Sequence, residues 1–459
     1  MGVLITDRNR GGERALYEFT GGIEFDLRLA QHEIRVQRAW ARALGGGGYL
    51  DPEETEAVLG LLERALGKIS DNTFDWRVED EDIHMNLERF VTGEAGDLGR
   101  KMHMGRSRND LVATTLRLFA AKCAEDTASR ASSLSAALCD LGERCADAIV
   151  PGTTHLQHAQ PVSFGHIASA HALAFVRDLR RLRSARDACL DRMPLGSAAL
   201  SGTPLRVDLV ACAEELGFCS PPMNSYDAVG DRDFMIELMD AFASVAVHTG
   251  RLSEDIVIWS STAVGLIDLP AEHSTGSSIM PNKRNPDVAE CARARAARIV
   301  SLSNEAHSIA KSLPTSYASD LHELKKTFIR AFDETREVLS ALTPLIRGLA
   351  LNRERARELL GRGHILATEM ADALASQGMP FREAYAATAS MVERAERMGV
   401  QVHEVTRKGS REALPVPNTE LAERISFESA VERRSQPGGT KTENVLDCIM
   451  KIREIAKGY

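Results

Sequence analysis

Residues 108–141 read RNDLVATTLRLFAAKCAEDTASRASSLSAALCDL and contain neither glycine nor proline. Towards the end of this stretch, Leu134, Leu138, Leu141 and Cys145 recur at spacings of four, three and four residues. Such spacing places the four side chains on one face of an α-helix. The stretch therefore predicts one long helix with an apolar face.

Four more stretches have a similar helical composition: residues 162–193, 231–264, 286–312 and 320–342. Together with residues 108–141, they range from 23 to 34 residues in length. At a rise of about 1.5 Å per residue, such helices are roughly 35–50 Å long. Five long helices in succession favour a bundle, and alternating strand patterns are scarce. We therefore predict an all-α fold with an N-terminal helical domain at residues 1–105, a central five-helix bundle at 106–355 and a C-terminal helical domain at 356–459.

The composition is that of a globular protein, with 44% hydrophobic and 26% charged residues in a chain of 459. The net charge of −9 argues against a nucleic-acid partner. No run of about 18 apolar residues occurs, so we expect no membrane partner. Eight cysteines without a CxxC pair predict free thiols in a reducing, cytoplasmic compartment. The sequence has no Walker P-loop, HExxH motif or clustered zinc-ligand spacing, so we expect no metal and no other cofactor.

Three polar segments that contain glycine lie before or between the predicted long helices. The first, GRSRND at residues 105–110, places two arginines before a helix N-terminus, whose unpaired N–H groups favour an anion. This pattern fits a carboxylate site and a solvated helix start about equally well. The second, GTTHLQHAQP at residues 152–161, concentrates histidine, glutamine and threonine in one turn, which favours a functional site.

The third segment, STGSSIMPNKRNP at residues 274–286, combines small hydroxylated residues with two cations. It is compatible with a flexible connection between helices. It is also longer than the usual connection in a bundle, and long loops tend to be functional. Asn285, Pro286 and Asp287 predict the start of a helix with Asn285 as its N-cap.

The third segment resembles the GSSxMPxKxNP signature of the fumarase/aspartase superfamily. Two more stretches, KMHMGRSRND at residues 101–110 and THLQ at 154–157, resemble the argininosuccinate lyase versions of two other regions of that superfamily. The same branch is indicated by EDIH at 81–84, NSYDAV at 224–229 and DRDF at 231–234. The resemblance extends over nearly the whole chain. It implies the superfamily's three-domain fold and an elimination that releases fumarate from a small anionic substrate.

Such an elimination breaks a C–N or C–O bond β to a carboxylate, and it needs a base, an anion clamp and an acid. The resemblance implies that Ser277 is the base and that His155 transfers a proton at the leaving group. Lys283, together with backbone amides of the loop, would stabilise the serine alkoxide. Lys283 and Asn285 would hold the carboxylate that gains charge. The resemblance assigns substrate binding to seven further residues: Ser107, Arg108, Asn109, Thr154, Tyr317, His322 and Lys325.

Five positions depart from the family pattern. Gly22 and Gly230 stand where serine is usual, and Met104 replaces threonine. Leu111 and His322 stand where the family has glutamine. An imidazole has an ordinary pKa near 6.5, so His322 can change charge close to neutral pH if it contacts the substrate. A tolerated replacement at the rim of the pocket fits the sequence equally well. These five departures weaken the inference that arginine is the leaving group. They do not affect the residues that the elimination itself requires.

Three functions remain open at this point. The leading one is cleavage of argininosuccinate to arginine and fumarate. The second is the same elimination on a different N-substituted aspartate, and the third is a non-catalytic, crystallin-like structural role. Retention of Ser277, His155, Lys283 and Asn285 argues against the third. The resemblance also implies a homotetramer in which each active site is built from three chains.

Overall fold

Helices make up most of the chain that the computed structural model describes, which is residue 19 and residues 21–80, 82–405 and 425–458. The all-α prediction is confirmed for these residues. No helix in this part of the chain is both long and apolar enough to cross a membrane. The α-helices here are, in chain order, α1 (Ile23–Asp26), α2 (Ala30–Gly46), α3 (Pro52–Ser70), α4 (Ile83–Ala95), α5 (Asp97–Lys101), α6 (Arg108–Arg144), α7 (Phe164–Cys189), α8 (Leu209–Leu216), α9 (Ser225–Ala228), α10 (Asp233–Ser260), α11 (Asp287–Ala310), α12 (Asp320–Gly348), α13 (Arg353–Leu360), α14 (Ala367–Ser376), α15 (Phe381–Met398), α16 (Val402–Val405), α17 (Phe427–Glu432) and α18 (Thr442–Lys457).

The five predicted long helices are α6, α7, α10, α11 and α12. The first four agree with the predicted spans to within four residues at each end. Helix α12 continues through Pro344, beyond the predicted end at residue 342. A proline inside a helix removes one backbone hydrogen bond. Burial of Leu345 and Ile346 directly after it favours the helical continuation.

Contacts divide the chain into two compact units, and each unit contains part of every long helix. The first unit comprises Met1–Ala128, Arg180–Ala246 and Ala297–Arg336, and the second comprises Ser129–Leu179, Val247–Ala296 and Glu337–Tyr459. The division into three domains at residues 105/106 and 355/356 stays a prediction.

In the first unit, aromatic side chains pack the long helices together. Phe119 of α6 meets Phe328 and Phe332 of α12 edge-on, with ring centroids 6.2 and 6.4 Å apart. Phe242 of α10 stacks on Phe328 at 6.1 Å. Leu111, which replaces a usual glutamine, is buried in a second apolar cluster that joins α2, α6 and α8 and includes Val36, Trp40, Leu44, Leu118, Cys212 and Leu216.

In the second unit, two reciprocal His–Asp pairs join α7 and α10. Nδ1 of His248 lies 2.6 Å from Asp178, and Nε2 of His171 lies 2.9 Å from Asp255. The C-terminal helices of this unit enclose a separate apolar cluster that includes Leu360, Met370, Leu374, Met391, Val402, Ile425 and Ala430.

Short strands form the two segments that were predicted as a turn and as a flexible loop. The strands are β1 (Ile149–Thr154), β2 (Gln157–Ser163), β3 (Ile267–Asp268), β4 (Thr275–Gly276), β5 (Arg284–Asn285) and β6 (Ala350–Leu351). They pair antiparallel as β1–β2, β3–β6 and β4–β5. Helix α11 begins at Asp287, and the residue predicted as its N-cap, Asn285, lies in β5 instead.

Candidate active site

A cavity of about 1110 Å³ opens in the first unit at the N-terminal ends of α6 and α12. Arg108 and Asn109 line it from α6, and Tyr317 and His322 line it from the segment that leads into α12 and from its first turn. Four residues that the resemblance assigns to substrate binding therefore surround one space.

The guanidinium group of Arg108 is fixed by a buried carboxylate. Its Nη2 donates to Oδ2 of Asp82 at 2.5 Å. Asp82 is the N-cap of α4 and also accepts from the backbone N–H of Met85. Burial alone would raise the pKa of Asp82, but the charges of His84 and Arg108 hold that pKa below its ordinary value. Arg108 therefore has an ionised partner, which restricts its orientation at the cavity.

A second buried charge pair lies next to Asp82. Nδ1 of His84 is 2.8 Å from Oε2 of Glu33, and both side chains are buried. Burial would lower the pKa of His84, but the carboxylates of Glu33 and Asp82 raise that pKa above its ordinary value. Glu33 also accepts hydrogen bonds from Gln37 at 2.6 Å and Thr115 at 2.7 Å. The protonated imidazole and the two carboxylates thus stabilise one another's charged forms.

Tyr317 and His322 form a hydrogen-bonded pair at the cavity wall, with the phenol oxygen 2.6 Å from Nε2. Burial, reinforced by the charge of Lys325, lowers the pKa of His322 to about 4. At this lowered pKa, His322 stays neutral near pH 7, although the ordinary pKa of imidazole allows a change of charge there. Burial also raises the pKa of Tyr317, so the phenol keeps its proton. If the phenol donates to Nε2, the ring proton lies on Nδ1, which is buried and has no hydrogen-bond partner among the described residues.

Lys325 is buried near these residues and forms an ion pair with the equally buried Asp26. Gly22 borders the pair, and a Cβ atom there would lie 3.4 Å from Nζ of Lys325. The serine that the family pattern has at this position would therefore reach the ammonium group. With glycine, that side of Lys325 carries no side chain from position 22.

The start of α6 is held by Asp110, whose carboxylate is fully buried. Its Oδ1 accepts from the backbone N–H of Ser107 at 2.9 Å. Its Oδ2 accepts from the backbone N–H groups of Gly196 at 3.1 Å and Ala198 at 2.8 Å. Burial raises the pKa of Asp110 to about 6 in spite of these three donors. The side-chain amide of Asn109 donates to the backbone carbonyl of Ala199 at 3.1 Å. The turn near residues 196–199 therefore holds Asn109 directly and Ser107 through Asp110.

In the second unit, Thr154 and His155 lie at the tip of the β1–β2 hairpin. Thr154 pairs with Gln157, so His155 and Leu156 form a two-residue turn. Their φ angles are +55° and +59°, as in a type I′ turn, which usually takes asparagine and glycine. Side chains other than glycine at these angles indicate strain, and strain is often found at functional sites. His155 is exposed, and Leu156 is 71% exposed.

Ser277 lies in the turn between β4 and β5. Its Oγ accepts from the backbone N–H groups of Ile279 at 3.2 Å and Met280 at 3.0 Å. Two donors directed at one hydroxyl oxygen stabilise negative charge there. Asn285 is half-buried in β5, and the ammonium of Lys283 makes no hydrogen bond or ion pair within the described part of the chain. The backbone amides expected around Ser277 are therefore present, whereas no hydrogen bond joins the ammonium of Lys283 to Ser277 in the described part of the chain.

The residues assigned by resemblance thus form three groups. One surrounds the first-unit cavity and includes Lys325 next to His322, while the hairpin tip and the β4–β5 turn lie in the second unit. Within the described residues, no hydrogen bond or ion pair joins the tip to the β4–β5 turn.

Sequence reasoning missed the buried charges that support the cavity residues: Asp26, Glu33, Asp82, His84 and Asp110. The EDIH sequence at residues 81–84 indicated a family branch but no role for its side chains. The sequence did contain a usable signal, namely charged residues at helix starts and on apolar helix faces. Such residues are seldom buried unless they are paired, so their positions predict buried charge pairs.

Solved structures support the predicted fold. EDDS lyase in complex with formate matches with a TM-score of 0.83 and 22% identity, over 97% of this chain and 89% of that chain. The class II fumarase from Schistosoma mansoni matches with a TM-score of 0.75 and 18% identity, over 91% and 94%. At these identities the likeness concerns the fold alone.

Sequence comparisons are more specific. A model of the lyase family matches residues 13–301, and a model of the argininosuccinate lyase C-terminal region matches residues 364–432. Argininosuccinate lyase from Frankia casuarinae is 40% identical over 445 residues, which cover 97% of this chain and 96% of the relative. Argininosuccinate lyase from Nitrosomonas europaea is 38% identical over 440 residues, with coverage of 96% and 95%. The chain therefore belongs to the argininosuccinate lyase family of the fumarase/aspartase superfamily.

Proposed function

We propose that this lyase cleaves argininosuccinate to arginine and fumarate, with Ser277 as the base and His155 as the acid. The full-length relatives are named for this reaction. The observation that supports the assignment of the base is the pair of N–H donors on Ser277 Oγ, from Ile279 and Met280.

In the first step, the Ser277 alkoxide removes a proton from the succinyl carbon next to a carboxylate. The carbanion's electron pair delocalises into that carboxylate, which gains negative charge. The two backbone N–H groups lower the free energy of the alkoxide before the proton is transferred. Lys283 and Asn285 bind the carboxylate that gains charge. In this step the ammonium of Lys283 contacts the substrate and does not stabilise the Ser277 alkoxide.

In the second step, the electron pair forms the carbon–carbon double bond of fumarate, and the C–N bond breaks. The departing guanidino nitrogen takes the bonding electrons and accepts a proton from His155. Ser277 then loses its proton to solvent and His155 regains one from solvent, so the cycle closes with fumarate and arginine as products and with no net oxidation.

Seven further residues bind the substrate in this proposal: Ser107, Arg108, Asn109, Thr154, Tyr317, His322 and Lys325. The four that line the first-unit cavity present a guanidinium, an amide, a phenol and a neutral imidazole. These four groups suit a carboxylate next to neutral polar groups. The same cavity is also lined by Asp320 and by the ion pair of Glu323 with Lys326, so the carboxylate has to bind on the Arg108 side. The buried carboxylate of Asp82 keeps Arg108 from rotating away.

We also propose a homotetramer whose active sites combine residues from three chains, in the cytoplasm that eight free cysteines favour. The tip of the β1–β2 hairpin and the β4–β5 turn carry exposed apolar side chains, with Leu156 71% and Ile279 82% exposed. Contact with another chain removes such side chains from water. The same contact brings His155 or Ser277 to a cavity on a neighbouring copy.

His322 favours a second candidate, in which the leaving amine differs from arginine. It is held neutral and paired with Tyr317, where the family pattern has glutamine. Neutral imidazole offers one donor and one acceptor in a fixed tautomer, whereas an amide offers more of both. If the native substrate is another N-substituted aspartate, His322→Gln should increase the rate of argininosuccinate cleavage.

The test is to incubate the purified protein with argininosuccinate and to follow fumarate by its absorbance. We expect turnover that Ser277→Ala lowers by about a thousandfold or more while the oligomer and thermal stability are unchanged. Ser278→Ala, one residue further along the same turn, is the matched control and should keep most of the activity. Near-normal turnover in Ser277→Ala would remove this residue from the mechanism. No fumarate from the wild type would reject argininosuccinate as the substrate.

A further inference from the structure

Gly230 lies directly against the backbone of Ser316. A Cβ atom at position 230 would be 2.5 Å from the carbonyl oxygen of Ser316 and 2.6 Å from its C and Cα atoms. Real Cβ atoms are essentially never found so close to backbone. The φ angle of Gly230 is not in the left-handed region. In this chain, glycine in place of the family's serine is therefore required by the contact with Ser316 and not by its own backbone conformation.

The segment around Gly230 is firmly held. The N–H groups of Gly230 and Asp231 both donate to the carbonyl of Asp227, at 3.0 and 2.9 Å. The carboxylate of Asp231 forms an ion pair with the largely buried Arg117. The guanidinium of Arg117 also lies over the ring of Phe234, 4.4 Å from its centroid. A side chain added at position 230 therefore has to displace Ser316 rather than its own segment.

Ser316 itself adopts an unusual conformation, with a φ angle of +76°. A residue other than glycine keeps such an angle only where its surroundings impose it. The next residue is Tyr317, which lines the cavity and meets His322 at 2.6 Å. The backbone angle at Ser316 sets the direction in which the chain enters Tyr317.

We propose that Gly230 is a positioning residue for the reaction, acting through the backbone of Ser316 on Tyr317. The missing side chain lets the 316–317 backbone lie close to the 227–233 segment. This contact holds the phenol at the cavity within reach of His322. The inference rests on the proposed function, because Tyr317 must contact the substrate for its position to matter.

The experiment is a double-mutant cycle on the full-length protein with argininosuccinate as substrate. Gly230→Ala should lower kcat/KM about tenfold or more, since a shift of about 1 Å in a substrate-positioning group is costly. In a Tyr317→Phe background, where no phenol is left to position, the same change should lower kcat/KM less than about twofold. Adding Ser316→Gly to Gly230→Ala should restore part of the activity, because glycine allows the turn more backbone angles.

Gly93→Ala is the matched control, because a Cβ atom at this helical glycine meets nothing within 4 Å. It should leave kcat/KM unchanged. Unchanged kcat/KM in Gly230→Ala, or an equal loss with and without the Tyr317 hydroxyl, would overturn the proposal. If Gly230→Ala does not fold, the Gly230→Ala/Ser316→Gly variant takes its place in the cycle. If neither variant folds, the proposal is also overturned, because it requires the substitution at position 230 to disturb only the turn at Ser316. Absence of activity in the wild type instead rejects the proposed function.

Discussion

His322 shows how its surroundings change the acid–base chemistry of one side chain. In the folded protein, burial and the charge of Lys325 lower its pKa to about 4, against an ordinary value of 6.5. Imidazole is therefore neutral throughout the neutral range. We predict that the pH profiles of kcat/KM for the wild type and for His322→Gln have the same shape from about pH 6 to pH 8, whatever their absolute values. An ionisation near pH 6.5 that is present only in the wild type would contradict the lowered pKa.

The same lowered pKa gives a second prediction, for the stability of the protein in acid. The unfolded chain binds a proton at His322 below pH 6.5, whereas the folded chain does so only near pH 4. The free energy of unfolding must therefore fall as the pH drops from 6.5 towards 4, by about 2 kcal/mol from this group. His322→Gln should lose less stability than the wild type between pH 7.5 and pH 4.5. Urea unfolding at both pH values measures the difference, and equal losses in the two proteins would count against it.

At the scale of elements, Asp110 connects the start of α6 to the turn near residue 197. Its buried carboxylate accepts three backbone N–H groups, from Ser107, Gly196 and Ala198. Asp110→Ala leaves these donors unpaired and should lower the free energy of unfolding by about 2–4 kcal/mol. Asp110→Asn keeps an acceptor and removes the buried charge, so it should lose less. A loss below about 1 kcal/mol in Asp110→Ala, measured by urea unfolding, would mean that the turn is held in another way.

The elements also show what the sequence predicts well and what it does not. Helix α6 was predictable, because 34 residues without glycine or proline have few alternatives to a helix. The β1–β2 hairpin was not predictable from the sequence, because its strands lack a clear alternation of apolar and polar side chains. Backbone pairing across a strained two-residue turn forms the hairpin instead. Gly230 was not predictable either, because the family pattern marks it only as a departure. Its role depends on a contact with Ser316, which is 86 residues away in the chain.

At the scale of the whole molecule, shared active sites predict recovery of activity between two inactive variants. His155→Ala and Ser277→Ala should each be inactive alone. In mixed tetramers, some sites receive an intact histidine from one chain and an intact serine from another, so mixing after subunit exchange should restore activity. Ser277→Ala mixed with Lys283→Ala is the control. Both positions lie in the β4–β5 turn, so every copy of that turn in the mixture carries one substitution, and the mixture should stay inactive. No recovery after verified exchange would argue that each site is built from one chain.

The division of every long helix between two compact units also affects how the chain is made. Neither unit is a continuous piece of sequence, and the first includes residues as far along the chain as Arg336. On the ribosome, the N-terminal part therefore cannot finish its core when its first 128 residues emerge. It must wait until about three quarters of the chain has been synthesised, with apolar helix faces uncovered in the meantime. Nascent chains of this protein should for that reason depend on chaperones until late in translation.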